Sequence, residues 1–351
     1  MMKKIKRYCF RSCSSLFLLL LSVMLLLAGC GKNKEQKSEV FIGMIVYDQY
    51  DTFVSNIASS YKEHAAAKSK ETGIPIRIQV LNAQNSQSIQ NGQVQELIAA
   101  GADVLCVNLV DRTAPAEIID AAMKAKIPIV FFNRELVSED LERWEELYYV
   151  GADAFESGIM EGEEAAEDFL TIEGADKNAD GIMQYVVLEG EAGHQDAVVR
   201  TEYSASAIEN AGINLKKLAY GIANWNRAQA QAKMQQFLDS YPDQIEVVIC
   251  NNDEMALGAI DALREREIPL EDRPLVYGID GTEGARAMLR SGEMAGSVYN
   301  DWDGQAGEML ELSYRLAMDL DRSDLPLIDG KYIRLPYQKL RVSDLPQEKA
   351  E

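Results

Sequence analysis

The chain is predicted to fold as an α/β protein of two doubly wound parallel-sheet lobes. Two observations lead there. From residue 40 onward, short apolar runs alternate with helix-period segments. Strands buried on both faces read as continuous apolar runs, and parallel neighbours need crossover helices between them. The second observation is size: about 310 ordered residues exceed one comfortable core, so two lobes are expected. No short-period repeat and no low-complexity tract interrupts residues 40–345.

The first segment precedes the fold. Residues 1–13 carry Lys3, Lys4, Lys6, Arg7 and Arg11 and no acid, and the apolar run Leu16 to Leu27 is broken only by Ser22 before Ala28-Gly29-Cys30. That pattern reads as a signal peptide over residues 1–29. Its apolar stretch of roughly a dozen residues is short for a membrane span, which needs about 20. The ending Leu27-Ala-Gly-Cys30 resembles a bacterial lipobox. It implies cleavage before Cys30, lipid on its sulfur, and a protein anchored on the extracytoplasmic face of a bacterial cell membrane. Residues 30–39, polar and lysine-rich from Gly31 to Ser38, then form a flexible tether.

Loss of the signal removes five cations and no acid, taking the formal charge from −21 to −26. Such a surface does not invite nucleic acid. Of five cysteines, Cys9 and Cys13 leave with the signal and Cys30 carries lipid. Cys106 and Cys250 sit in apolar runs and read as buried free thiols, since a chain of this size builds a core without disulfide staples.

The strands follow in order. Val40–Val46 comes first, with helical patterning from about Thr52 to Lys70, then Ile76–Leu81, Val104–Val107, Ile127–Phe132 and Tyr148–Val150. A second series comprises Tyr185–Leu188, Lys217–Tyr220, Val247–Cys250, Leu275–Ile279 and Ala295–Val298. In open parallel sheets, ligands lie beyond the carboxyl ends of the strands. The residues there are Tyr47, Asp48, Asp51 and Phe53; Asn108 and Asp111; Asn133, Arg134 and Glu135; His194, Asp196 and Arg200; Trp225; Asn251, Asn252 and Asp253; Asp280; and Asn300 and Asp301. Individually, an Asn or Asp after a strand is usually a turn former or a helix N-cap. As an ensemble of amides, carboxylates, an arginine and aromatics they suit a sugar. Hydroxyls need donors and acceptors together, and the apolar faces of a pyranose suit flat partners such as Phe53 and Trp225.

A second motif has another chemistry. In Asp176-Lys-Asn-Ala-Asp-Gly-Ile-Met-Gln184, oxygen-bearing side chains alternate at Asp176, Asn178 and Asp180, Gly181 permits a sharp turn, and Gln184 stands ninth. Calcium wants six to eight oxygens in such a wrap, with a bidentate glutamate at position twelve. Position twelve is Val187, so either a distant carboxylate completes the site or the loop is an Asx-rich turn.

Together these motifs resemble the galactose/glucose-binding protein family, the type I periplasmic binding proteins of sugar ABC importers. The stretches that carry the likeness include Tyr47-x-x-x-Asp51-x-Phe53, Asn108-Leu-Val-Asp111, Phe131-Phe-Asn133, Gly190-Glu-Ala-Gly-His194-x-Asp196-x-x-x-Arg200, Trp225-x-x-Ala-Gln-Ala230, Asn251-Asn-Asp253 and Gly278-x-Asp280. The likeness runs from about residue 40 to Tyr337. It implies that D-glucose or D-galactose is gripped by Asp51, Asn108, His194, Asp196, Arg200, Asn252, Asp280 and Asn300, with Phe53 and Trp225 stacking on opposite ring faces. It also implies a structural calcium ion held by Asp176, Asn178, Asp180, the Ile182 carbonyl, Gln184 and bidentate Glu246.

The same resemblance implies a three-stranded hinge, with crossings near Ile127–Ile129, Tyr299–Trp302 and Ile333–Tyr337. Residues 40–127 with 302–332 would then form the amino-terminal lobe. Residues 128–301 with 333–345 would form the carboxyl-terminal lobe that carries the calcium loop. The expected partners are the membrane subunits of an ABC transporter, with a monomeric receptor. Alternatives are the same fold holding a pentose or a furanose signal, or a receptor that presents its closed lobes to a membrane sensor. A glycosidase using Asp51 and Asp280 is disfavoured, because hydrolysis needs two carboxyls of separated pKa across a scissile bond.

Overall fold

The computed structural model describes residues 37–346. The signal peptide and Cys30 lie outside them. No helix among the described residues is long and apolar enough to cross a membrane.

The first lobe begins with β1 (Val40–Val46), α1 (Thr52–Thr72), β2 (Ile76–Asn82), α2 (Gln87–Ala99), β3 (Val104–Val107) and α3 (Ala116–Ala125). It continues with β4 (Ile129–Phe132), the single turn α4 (Ser138–Leu141) and β5 (Leu147–Ala152). The second lobe holds α5 (Ala154–Thr171), β6 (Ile182–Glu189), α6 (Gln195–Asn210), β7 (Asn214–Ile222), α7 (Arg227–Ser240), β8 (Val247–Cys250) and α8 (Asp253–Glu265). After it come β9 (Leu275–Asp280), α9 (Glu283–Ser291) and β10 (Gly296–Tyr299). The chain then returns through α10 (Trp302–Met318) and β11 (Tyr332–Leu335) to the first lobe and ends with β12 (Gln338–Leu340) in the second.

Each lobe is built on a six-stranded sheet, ordered β11-β5-β4-β3-β1-β2 and β12-β10-β9-β8-β6-β7. Every pairing is parallel except β10 with β12. Strand β1 shows why the sheet is covered twice. Val40, Ile42, Met44 and Val46 pack with α1 and α10, while Phe41 and Ile45 pack with α2 and α3. In β6, Val186 and Leu188 face α7 and α8, and Met183, Tyr185 and Val187 face α5 and α6. A period-two alternation of apolar side chains with no polar face requires helices on both sides.

The lobe boundary needs correction. The expected split after residue 127 would assign β4 and β5 to the second lobe, yet both pair within the first sheet, where β5 also receives β11. The first crossing therefore falls at Ala152–Ala154, and the last follows Leu335. The crossing expected near Ile127–Ile129 is instead the passage from α3 into β4, where Lys126 takes a left-handed backbone (φ 58°) and its N–H closes the last helical turn. Pro128 then only starts the next strand.

Candidate binding cleft

In each sheet the strand order reverses beside its first strand, and the loops leaving the carboxyl ends of the strands converge from both lobes on one cavity. It is lined by Tyr47, Asp51, Phe53, Asn133 and Arg134 of the first lobe and His194, Asp196, Arg200, Trp225, Asn252 and Asp280 of the second. Eight of the ten expected sugar ligands therefore reach its wall. Asn108 and Asn300 do not. Asn108 is fully buried behind it, donating to the Phe132 carbonyl and to Asn133 Oδ1, both at 3.1 Å. Asn300 accepts from Gln305 Nε2 at 2.6 Å and steadies Asp280 from behind.

Several wall residues also start helices. Asp51 Oδ1 accepts from Val54 N at 2.8 Å, and Asn252 Oδ1 accepts from Met255 N at 3.0 Å. His194 Nδ1 accepts from Asp196 N at 3.1 Å. Capping therefore does not compete with a place in the wall: the side chains that cap these helices also line the cavity. An N-cap side chain is held at the strand-to-helix turn, where a parallel sheet opens its binding crevice. Capping also sets the His194 tautomer: with Nδ1 accepting, Nε2 carries the proton and is a donor. Burial, assisted by Arg134, Arg200 and Arg112, holds this histidine well below its usual pKa, so it is neutral at pH 7.

The carboxylates show the opposite shift for the same first cause. Burial raises Asp51, Asp196 and Asp280, against the lowering pull of arginines on each. Tyr47 donates to Asp51 Oδ2 at 2.5 Å, and Arg200 lies 3.6 Å from Asp196. Arg200 is itself immobilised. It donates through Nε to Ser157, through Nη1 to the Asn251 carbonyl and through Nη2 to the Tyr337 hydroxyl, at 3.2, 2.8 and 3.0 Å. Oriented acceptors with spare lone pairs beside fixed donors are what a polyhydroxyl ligand needs.

Two strained backbones shape the wall. Asn224 and Trp225 both take positive φ, 50° and 60°, to present the indole, which meets His194 edge-on at 5.1 Å. Asp280 has φ 124°. Side chains other than glycine rarely hold such angles, and they collect at functional sites. The resemblance carried over neither Tyr47 nor Arg134 as a ligand, although both stand at post-strand positions. Arg134 is buried with its guanidinium 3.7 Å from the centre of the Tyr47 ring.

The segment 176–184 leads into the first residues of β6, and Glu246 lies before β8. Both are at the amino ends of their strands, away from the cleft. Glu246 reaches the loop, accepting from Lys177 N and Gln184 N, each at 2.8 Å. The carboxylates of Asp176 and Asp180 also accept loop N–H groups. Among the described residues, no three acidic, histidine or cysteine side chains converge as a ready cage. The donor set nevertheless fits a hard cation, because the loop carries two carboxylates, Glu246 adds a third from outside it, and Gln184 Oε1 is buried without a partner. A buried amide oxygen left unsatisfied is costly, and a cation would satisfy it.

Two doubly wound lobes meeting over one cavity define a bilobed binding protein. The chain belongs to the periplasmic binding protein domain family, whose model matches residues 42–320. It is 35% identical over 299 residues to the D-galactose/methyl-galactoside binding periplasmic protein of Haemophilus influenzae, covering 84% of this chain and 88% of that one. It is 28% identical over 267 residues to the ribose import binding protein of Bacillus subtilis, covering 76% and 78%. Among solved structures, an ABC transporter solute binding protein from Bacillus halodurans with bound myo-inositol matches with a TM-score of 0.73 at 26% identity, over 88% of this chain and 96% of that one. The family consists of extracytoplasmic substrate-binding transport proteins, so the chain is a binding protein and not an enzyme.

Proposed function

We propose that this protein captures D-galactose or D-glucose outside the cytoplasmic membrane and delivers it to the membrane subunits of an ABC importer. One observation carries the reading: a single inter-lobe cavity collects Asp51, Phe53, His194, Asp196, Arg200, Trp225, Asn252 and Asp280. Neutral His194 and Arg200 supply donors, three carboxylates supply acceptors, and Phe53 and Trp225 supply the flat apolar surfaces of opposite lobes. Asp51 would meet the fourth hydroxyl, where the two epimers differ, and its two oxygens can serve either. The relative that binds galactose supports this choice.

Because ligand groups come from both lobes, sugar stabilises the closed arrangement more than the open one, and closure is a population shift of that size. Hinge closure of periplasmic binding proteins is itself the standard example of this class of motion. Lipid on Cys30 would keep the receptor close to its transporter. A calcium ion, when bound by Asp176, Asn178, Asp180, Gln184, Glu246 and the Ile182 carbonyl, would cross-link the β6 and β8 loops without touching sugar.

The ribose relative keeps a pentose in view as the second reading. Calorimetric titration of the soluble chain with D-galactose, D-glucose, D-ribose and L-arabinose decides between them. One-to-one binding of a hexose, lost in Asp196→Ala and Trp225→Ala, is expected. Binding of a pentose alone overturns the hexose assignment.

A further inference from the structure

Arg134 has a second role visible only in three dimensions. It follows β4 in the first lobe, yet its Nη2 donates to Glu191 Oε2 of the second lobe at 2.7 Å, across the cleft. Its Nη1 donates to the Val110 carbonyl at 2.7 Å, and its face lies on Tyr47, which fixes it to its own lobe. The pair sits at a boundary. Arg134 and His194 line both the sugar cavity and an outer hollow, whereas Glu191 lines only the hollow. Arg134 is 4% exposed, and its Nε is buried with no partner.

We propose that Arg134 and Glu191 form a clasp that closes the mouth of the cleft, holding the lobes together and retarding escape of the ligand. The clasp rests on reading the cavity as a ligand site between moving lobes, whichever sugar fills it. An arginine held flat by an aromatic ring and a backbone carbonyl is pre-organised for its carboxylate, so little side-chain entropy is lost when the lobes meet. Glu191 is the partner that moves, since its side chain is 44% exposed and reaches the pair from the other lobe. Opening must break this pair first, and it must do so without disturbing any group on the wall that Glu191 does not share. The clasp therefore acts on dissociation rather than on the encounter of sugar with an open cleft.

The test uses Glu191→Gln in the soluble mature chain, whose residues 39–346 lie within one compact unit. Stopped-flow rates are measured with whichever of D-galactose, D-glucose and D-ribose binds, and the radius of gyration is measured without sugar. The clasp predicts dissociation roughly two- to tenfold faster, association raised only as far as the open ligand-free population grows, and an unchanged melting temperature. It also predicts a larger ligand-free radius of gyration than wild type. Raising salt from about 0.02 to about 1 M should speed dissociation in wild type and leave the variant unaffected. In a double-mutant cycle with Arg134→Met, the glutamate substitution should add nothing further. Equal dissociation rates and equal radii overturn the clasp. A wild type that binds none of the three sugars overturns the ligand assignment instead, and the radii then decide the clasp alone.

Discussion

Gly190→Ala tests the cleft without altering any ligand group. Gly190 directly follows β6, and its N–H donates to Asn251 Oδ1 at 3.1 Å. A methyl group there would fall 2.2 Å from Cη2 and Cζ2 of Trp225, inside any permissible contact. Either the backbone retreats and loses its bond to Asn251, or the indole moves into the space where sugar would stack. The bond resists the first response with about 1 kcal/mol. The indole stands on a strained turn at φ 60° and is the more easily displaced. Overpacking of this kind costs about 1–3 kcal/mol. If most of that falls on the bound state, affinity drops roughly five- to hundredfold, since about 1.4 kcal/mol is tenfold. The assay is calorimetric titration with D-galactose and D-glucose alongside thermal melting. Unchanged affinity in a well-folded variant would refute the indole as a wall of the sugar site. A lowered melting point with intact affinity would show that the backbone had yielded instead.

Three further outcomes are expected. Chelation of calcium should lower the melting temperature in wild type but not in Glu246→Gln, with sugar affinity held within about twofold. Calcium at about 100 times its dissociation constant would contribute about 2.7 kcal/mol. Glu164 is fully buried with Arg341 Nε at 2.9 Å, and burial pushes its pKa from 4.5 up to about 8, the arginine offsetting only part. The folded state therefore holds this proton longer than the unfolded chain. The contribution is full below about pH 4.5 and is lost as pH rises to about 8, on the order of a few kcal/mol. Denaturant midpoints for Glu164→Gln should consequently fall less steeply over that range than those of wild type, and equal slopes would sink the explanation. Gly162→Ala should destabilise the second lobe by about 1–3 kcal/mol, read from the urea midpoint, because its methyl would stand 2.2 Å from the Ser204 carbonyl where α5 crosses α6.

Much of this protein was legible before folding was considered. Buried parallel strands need apolar side chains on both faces, so Val40–Val46 and Val247–Cys250 announce themselves in one dimension. Strand ends in such sheets point at the crevice, so Asp51, His194, Asn252 and Asp280 could be placed on its wall by position. The alternation of oxygen-bearing side chains over residues 176–184 is likewise visible locally. Other features depend on pairs far apart in the chain. The lobe boundary was misplaced because no local signal tells a strand which sheet it joins; pairing assigns it, β4 with β3, β5 with β4, and β5 with β11 some 180 residues on. Asn108 and Asn300 have the side chains of ligands, but their depth behind the wall is set by neighbours from other strands. The role of Arg134 is the clearest case. Its sequence position marks a turn after a strand, while its meaning comes from Glu191, which the second lobe brings to 2.7 Å. Residue types and periodicity determine which groups can bind. Burial, strain and reach across a cleft are properties of distances between segments, and only the tertiary structure decides them.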